Sequence, residues 1–145
     1  MRILFVCLGN ICRSPTAEAV ARARGIDCDS AGTAGWHVGK APYAPMQEAA
    51  SARGYTMSDL RARQLARADF EAFDLIIVMD DDNAADAERL RPPGNTTPLR
   101  NLTEYDPTGA APGGHVPDPY YTRDFDGALT LIERCIDGLA AQTLR

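Results

Sequence analysis

No run of lysine and arginine interrupts this sequence, and its net charge is −5. Nucleic-acid binding needs clustered positive charge against a phosphate backbone, so no nucleic-acid partner is expected. No apolar run approaches the ~18 residues of a membrane span. The longest one near the start, Ile3–Val6, is cut short by Gly9 and Asn10, too soon for the core of a secretion signal. The expected location is therefore the reducing cytoplasm. Histidine is scarce (His37 and His115), and the four cysteines at 7, 12, 28 and 135 form no C-x-x-C pair. A zinc site lacks ligands at usable spacing, and a disulfide framework does not suit the compartment. No metal and no cofactor are expected. The absence of G-x-x-x-x-G-K-[ST] excludes a P-loop nucleotide enzyme. Asp80-Asp81-Asp82-Asn83 resembles the opening of a calcium loop, but Ala85 stands where that loop needs glycine. A solvated helix start, favoured by the helix dipole, is the better reading.

What is present is the composition of one globular domain: 45% hydrophobic and 24% charged residues over 145 positions. Such a chain can bury a core without covalent staples. Four segments read as strands: Arg2–Val6, Asp27–Ser30, Phe73–Met79 and Leu99–Leu102. Between them, Ser14-Pro15-Thr16-Ala17-Glu18 predicts a helix start, with Ser14 as N-cap and Pro15 at the first helical position. Gly25 would end that helix. Met46–Arg53 predicts a helix closed by Gly54, Leu60–Phe70 a partly helical stretch, and Asp80–Leu90 a helix ending before Pro92-Pro93-Gly94. From about Tyr121 to Leu144, residues Phe125, Leu129, Ile132, Ile136 and Leu139 recur at helical spacing, as a face packed on the core does. Ala31–Pro45 and Glu104–Pro119 are rich in Gly and Pro and predict loops, the second long enough to be functional. The alternation of strands and helices predicts an α/β class. The expected form is a single-domain three-layer α/β/α with a central four-stranded parallel sheet, over residues 1–145. Ligands of such sheets bind beyond the carboxyl ends of the strands, and Cys7 stands at one of them.

The segment Cys7-Leu8-Gly9-Asn10-Ile11-Cys12-Arg13-Ser14 carries the chemistry. Its C-x5-R spacing, between a strand and a helix start, lets a loop curl around one tetrahedral oxyanion. Backbone N–H groups and the helix dipole then supply positive potential inside an acidic protein. Gly9 admits close approach and unusual φ, Asn10 tolerates a left-handed conformation, and Arg13 offers a planar fork to two oxygens. The same surroundings lower the pKa of a cysteine thiol, so Cys7 would rest as the nucleophilic thiolate. Ser14 could donate its hydroxyl to that sulfur as well as cap the helix. A cysteine after a strand is often no more than a small buried hydrophobe. The combination of strand, Cys, Gly-Asn, Arg, Ser-Pro and helix is far more specific.

Val6-Cys7-Leu8-Gly9-Asn10-Ile11-Cys12-Arg13-Ser14-Pro15 resembles the signature loop of the low-molecular-weight protein tyrosine phosphatases. The resemblance continues in order through Ala17–Val20, Asp29–Thr33, Ala62–Leu65, Phe73–Ile76 with Met79-Asp80, and Asp118-Pro119-Tyr120-Tyr121, and so covers essentially the whole chain. It implies hydrolysis of phosphotyrosine monoesters through a phosphocysteine on Cys7. Arg13 would clamp phosphate, and Asp118 would be the general acid and base. A tyrosyl oxygen leaves with a pKa near 10, so its protonation lowers the barrier. On sequence alone, Asp118-Pro119 also reads as a turn. Asp106-Pro107 is an obvious decoy, and His115 is a weaker base candidate. Leu8, Gly9, Asn10, Ile11, Cys12 and Ser14 would surround the phosphate, and Trp36, Tyr120 and Tyr121 would wall the ring, with His37 beside them. Asn10, Ser14 and Ser30 would hold the loop in shape. Relatives commonly add a histidine to that network where this chain has Leu60. The resemblance also implies that Cys12 can pair with Cys7 under oxidation. Implied partners are phosphotyrosine proteins or small aryl phosphates, with phosphate or a similar oxyanion in the site.

Two rivals are weaker. An arsenate reductase of the same fold needs further cysteines downstream, and Ile76–Leu90 has none. A non-catalytic phosphotyrosine-binding module would usually have lost the nucleophile or the acid, and both Cys7 and Asp118 are present.

Overall fold

The structure, a computed structural model, describes residues 1–111 and 114–143. Four strands, β1 (Arg2–Cys7), β2 (Asp27–Gly32), β3 (Leu75–Val78) and β4 (Leu99–Asn101), form one sheet in the order β2-β1-β3-β4, parallel throughout. β1 lies between β2 and β3, which explains why Ile3, Leu4, Phe5 and Val6 are all completely buried. A parallel strand covered on both faces reads as an unbroken apolar run rather than an alternating one. Its side chains still divide by parity. Ile3, Phe5 and Cys7 face one core with Ala17, Val20, Leu129, Ile132 and Ile136. Leu4 and Val6 face the other, with Leu65, Phe70, Phe73, Ile76 and Val78. The result is a three-layer α/β/α fold with its central four-stranded parallel sheet, as expected.

The helices are α1 (Arg13–Ala23), α2 (Ala44–Ser51), α3 (Asp69–Ala72), α4 (Asp81–Glu88), α5 (Pro119–Thr122) and α6 (Phe125–Thr143), with a 3-10 turn over Leu102–Tyr105. α1 and α6 pack together against one face of the sheet, and the predicted apolar stripe of α6 enters the core. Gly138 of α6 stands so close to the carbonyl of Tyr105 that an added Cβ would lie 1.9 Å from that oxygen, which fixes glycine there. Among the described residues no helix is long and apolar enough to cross a membrane.

Several expectations need correction. Ser14 does not cap α1. The helix begins two residues earlier, at Arg13 in place of Pro15, behind a Cys12 N-cap with no side-chain cap bond, and the Ser14 hydroxyl is engaged at Cys7. The stretch Leu60–Phe70 is partly helical as expected, but only at Asp69 and Phe70; the rest is extended and turn-like. Gln64 there forms an isolated parallel bridge with Gly32, extending the edge of the sheet. The helix expected from Tyr121 is two helices, broken where Arg123 adopts the left-handed conformation (φ 65). Leu144, its expected end, and Pro112 and Gly113 of the expected loop lie outside the described residues.

Candidate active site

At the carboxyl end of β1 the chain turns through Leu8–Cys12 into α1. The left-handed turn falls on Asn10 (φ 57) and not on Gly9. Asn is one of the few residues that tolerates this conformation, because its short amide can bond locally. That amide is buried and fully used. Asn10 Nδ2 donates to Ser14 Oγ at 2.8 Å and to Ser30 Oγ at 3.0 Å, and Oδ1 accepts from the Arg63 N–H at 3.0 Å. Gly9 has another role: a Cβ there would stand 2.9 Å from His37 Cδ2, so its absence leaves room for that ring at the rim.

The sulfur of Cys7 sits 3.0 Å from Ser14 Oγ and receives the Asn10 N–H at 3.3 Å. Ser30 donates onward to the buried carboxylate of Glu18 at 2.6 Å. A polar chain thus runs from Glu18 through Ser30, Asn10 and Ser14 to Cys7. Burial raises the Glu18 pKa against the opposing pull of Ser30 and Arg22. Leu60 takes no part in this chain, whose remaining acceptor, Asn10 Oδ1, is met by the Arg63 backbone. Sequence reasoning missed Glu18; its only signal was a charged residue on a helix face that is otherwise apolar and small.

Arg13 is 3% exposed. Its Nη1 donates to Asp80 at 2.7 Å and to the Val116 carbonyl at 2.9 Å, and Nη2 reaches Asp118 at 3.4 Å. Burial works against this charge. The surrounding Cys7, Asp118 and Asp80 outweigh it and hold the guanidinium pKa above its ordinary value. Asp80, read as a solvated helix start, has two functions here: Oδ1 caps α4 through the Asn83 N–H at 2.7 Å, and Oδ2 orients Arg13.

Cys7, Leu8, Gly9, Ile11, Cys12 and Arg13 form the floor of a cavity of about 170 Å³, and Trp36, His37, Asp118, Tyr120 and Tyr121 form its wall and rim. Asn10 and Ser14 do not line it; they lie beneath it in the polar chain, with Ser30. The backbone N–H groups of Gly9, Ile11, Cys12, Arg13 and Ser14 have no acceptor among the described residues. Donors of this kind at a helix start are suited to an anion. The three aromatics are not core: Trp36 is 69%, Tyr120 42% and Tyr121 71% exposed. Cys12, though it reaches the floor, is a poor nucleophile. Burial, then the charges of Cys7 and Asp118, push its pKa up to about 12.

Asp118 caps α5, its Oδ1 accepting the Tyr120 N–H at 3.0 Å, so the Asp-Pro turn and the pocket carboxylate are one structure. The decoy Asp106 is elsewhere. Its buried carboxylate takes a bidentate pair from Arg134 on α6, at 2.9 and 3.0 Å. His115 is absent from the cavity wall.

The sequence model described as low molecular weight phosphotyrosine protein phosphatase matches residues 2–145. The chain belongs to that family. By that membership it is a protein tyrosine phosphatase, and Cys7 and Arg13 are the ends of the family's C-x5-R motif. It is 38% identical over 147 residues to the low molecular weight protein-tyrosine-phosphatase YfkJ of Bacillus subtilis, covering 96% of this chain and 93% of that one. It is 40% identical over 151 residues to the low molecular weight protein-tyrosine-phosphatase of Streptomyces coelicolor, covering 97% and 92%. The crystal structure of YfkJ superposes with a TM-score of 0.91 over 99% of this chain and 94% of that one, at 38% identity. That of Vibrio vulnificus Wzb in complex with benzylphosphonate gives 0.86, at 28% identity over 97% of each.

Proposed function

We propose that Cys7, as the thiolate, attacks the phosphorus of a phosphotyrosine monoester while Asp118 protonates the departing oxygen. The observation that carries this reading is the meeting of one sulfur, one guanidinium and one carboxylate around a cavity floored by unpaired N–H groups. With Arg13 Nη1 committed to Asp80 and Val116, Nε and Nη2, the latter also reaching Asp118, are left to take two phosphate oxygens. In the first step the S–P bond forms and the P–O bond to the ring breaks, with the proton of Asp118 passing to the tyrosyl oxygen. In the second, the Asp118 carboxylate takes a proton from water, whose oxygen attacks phosphorus. The S–P bond breaks, phosphate leaves, and the returning sulfur anion is met by the Ser14 hydroxyl and the Asn10 N–H. Fixed donors aimed at developing charge supply the remaining acceleration.

Trp36, Tyr120 and Tyr121 deepen the cavity with flat apolar walls. A phenyl ring fills such a cleft, and the shorter phosphoserine does not reach the sulfur at its floor. The substrates are phosphotyrosine proteins or small aryl phosphates. The protein acts in the cytoplasm, where a reducing milieu preserves a thiolate, and residues 1–145 work as one phosphatase domain.

Turnover of p-nitrophenyl phosphate should be lost in Cys7→Ser. Acid quenching of the parent during turnover should leave a phosphoryl group on the peptide containing Cys7. A Cys7→Ser protein as active as the parent ends the proposal.

A further inference from the structure

The carboxylate of Asp118 is held from both sides along the chain, by different means. Upstream, the Val116 N–H donates to the Met79 carbonyl at 2.8 Å and the Val116 carbonyl takes Arg13 Nη1, so this end is locked to the residue that follows β3 and to the phosphate loop. Downstream lies α5, a single turn whose first residues bear Tyr120 and Tyr121 and whose C-cap is Arg123. One turn of helix has almost no stability of its own. Its position comes from its contacts, the buried Pro119 at its start and whatever its far end touches.

Arg123 supplies that contact. Its guanidinium carbon lies 5.3 Å from the centre of the Tyr43 ring and 5.1 Å from that of Phe125, and Nη1 donates to the Tyr43 hydroxyl at 3.0 Å. Tyr43 in turn packs on Tyr120 with ring centres 5.2 Å apart, and its N–H donates to the carbonyl of Ile11 at 2.8 Å. A continuous path therefore joins the phosphate loop at Ile11 to the far end of the acid-bearing turn, through Tyr43 and Arg123. The backbone cost is visible: Arg123 is held at φ 65, a conformation unfavourable for a long side chain. Strained left-handed residues persist where surrounding contacts hold them.

We propose that Arg123 is a positioning residue, a clamp that sets the register of α5 and so the distance of the Asp118 carboxyl from the leaving oxygen. The proposal rests on the reading of Asp118 as the general acid. It makes Tyr43, which the cavity itself does not include, a partner in the same clamp.

Leaving-group dependence provides the test, because a displaced acid matters most when the departing phenolate is basic. With Arg123→Asn, which accepts the left-handed backbone, kcat/KM for phenyl phosphate should fall by about tenfold, a part of the 10²–10⁴ that a positioned acid supplies. For p-nitrophenyl phosphate, whose phenolate leaves readily, it should fall by no more than about twofold. Tyr43→Phe keeps the ring but loses the hydroxyl, and should show a smaller effect of the same selectivity. The double variant should add little to Arg123→Asn, since both act through one contact. Asp118→Asn gives the reference signature. If it separates the two substrates and Arg123→Asn does not, or slows both equally, the clamp is wrong and the acid stands. If Asp118→Asn fails to separate them, the acid assignment falls and the clamp falls with it. Additive losses in the double variant overturn the clamp as well.

Discussion

The two segments that meet at the cavity are held in opposite ways. Cys7–Ser14 is contiguous in sequence and nearly closed to solvent, with Asn10, Arg13 and Ser14 each at most 3% exposed. Its polar atoms are tied to one another and to Ser30, Glu18 and Arg63. Asp118–Arg123 is exposed along most of its length and is tied down by contacts from distant parts of the chain, with Arg13 and Tyr43, while Val116 just before it bonds to Met79. A site that must present an unchanging set of donors benefits from the first construction. Under the proposed role of Asp118, a group that gives a proton to one partner and later takes one from another can sit on the second. The difference implies that damage to the phosphate loop is felt in both stability and turnover, and damage to the acid turn in turnover alone.

The largest effect should come from Cys7→Ser, with turnover reduced on the order of 10⁴-fold or more, measured with p-nitrophenyl phosphate. Asp118→Asn should lower kcat/KM for phenyl phosphate by about 10²- to 10³-fold, with a melting temperature within about 1 °C of the parent. A large loss of stability in that variant would break the contrast. Asn10→Ala should reverse the pattern. Removal of an amide that serves Ser14, Ser30 and Arg63 leaves buried groups unpaired and should cost about 3 kcal/mol by urea denaturation, with turnover down about tenfold. The smallest effect on turnover, none, is expected of Asp106→Asn, which lies outside the cavity and weakens the charge pair with Arg134. Its pH dependence sharpens the point. The Arg134 hydrogen bond is the main cause that holds the Asp106 pKa near 2, against an ordinary 3.8. A lowered pKa favours the native state whenever the group is ionised in both states. That stabilisation is therefore complete above about pH 4 and disappears as pH falls through 2. Acid unfolding of Asp106→Asn should be flatter than the parent's across that window.

The same contrast governs what could be read from the sequence. The phosphate loop was legible because its parts lie within eight residues, and an apolar run before it plus Ser-Pro after it fixed strand and helix on either side. The cap was misassigned because Ser14 has one hydroxyl and two claimants. The nearby sulfur and Asn10 won over the helix terminus, a choice made by tertiary packing. Asp118 needed the resemblance, since Asp-Pro alone is an ordinary turn, and the structure shows it to be both turn and pocket wall. Leu60–Phe70, expected to be partly helical, is helical only at Asp69 and Phe70, because the rest of its course is imposed by the bridge to Gly32 and by Arg63, whose guanidinium pairs with Asp29 and Asp69. The pairing of Asp80 with Arg13 spans 67 positions, and that of Arg123 with Tyr43 spans 80. No local pattern announces partners so far apart.

The unequal state of the four cysteines has a practical outcome. Desolvation pushes Cys12, Cys28 and Cys135 to about 12, so at neutral pH each remains a protonated, sluggish thiol inside the fold. Cys7 alone combines the cavity floor with two hydrogen-bond partners at its sulfur. If Cys7 is the nucleophile proposed above, an alkylating probe small enough to enter the cavity should label a native molecule once and at one atom. Occupancy of the pocket by any anion can then be counted as protection from that label.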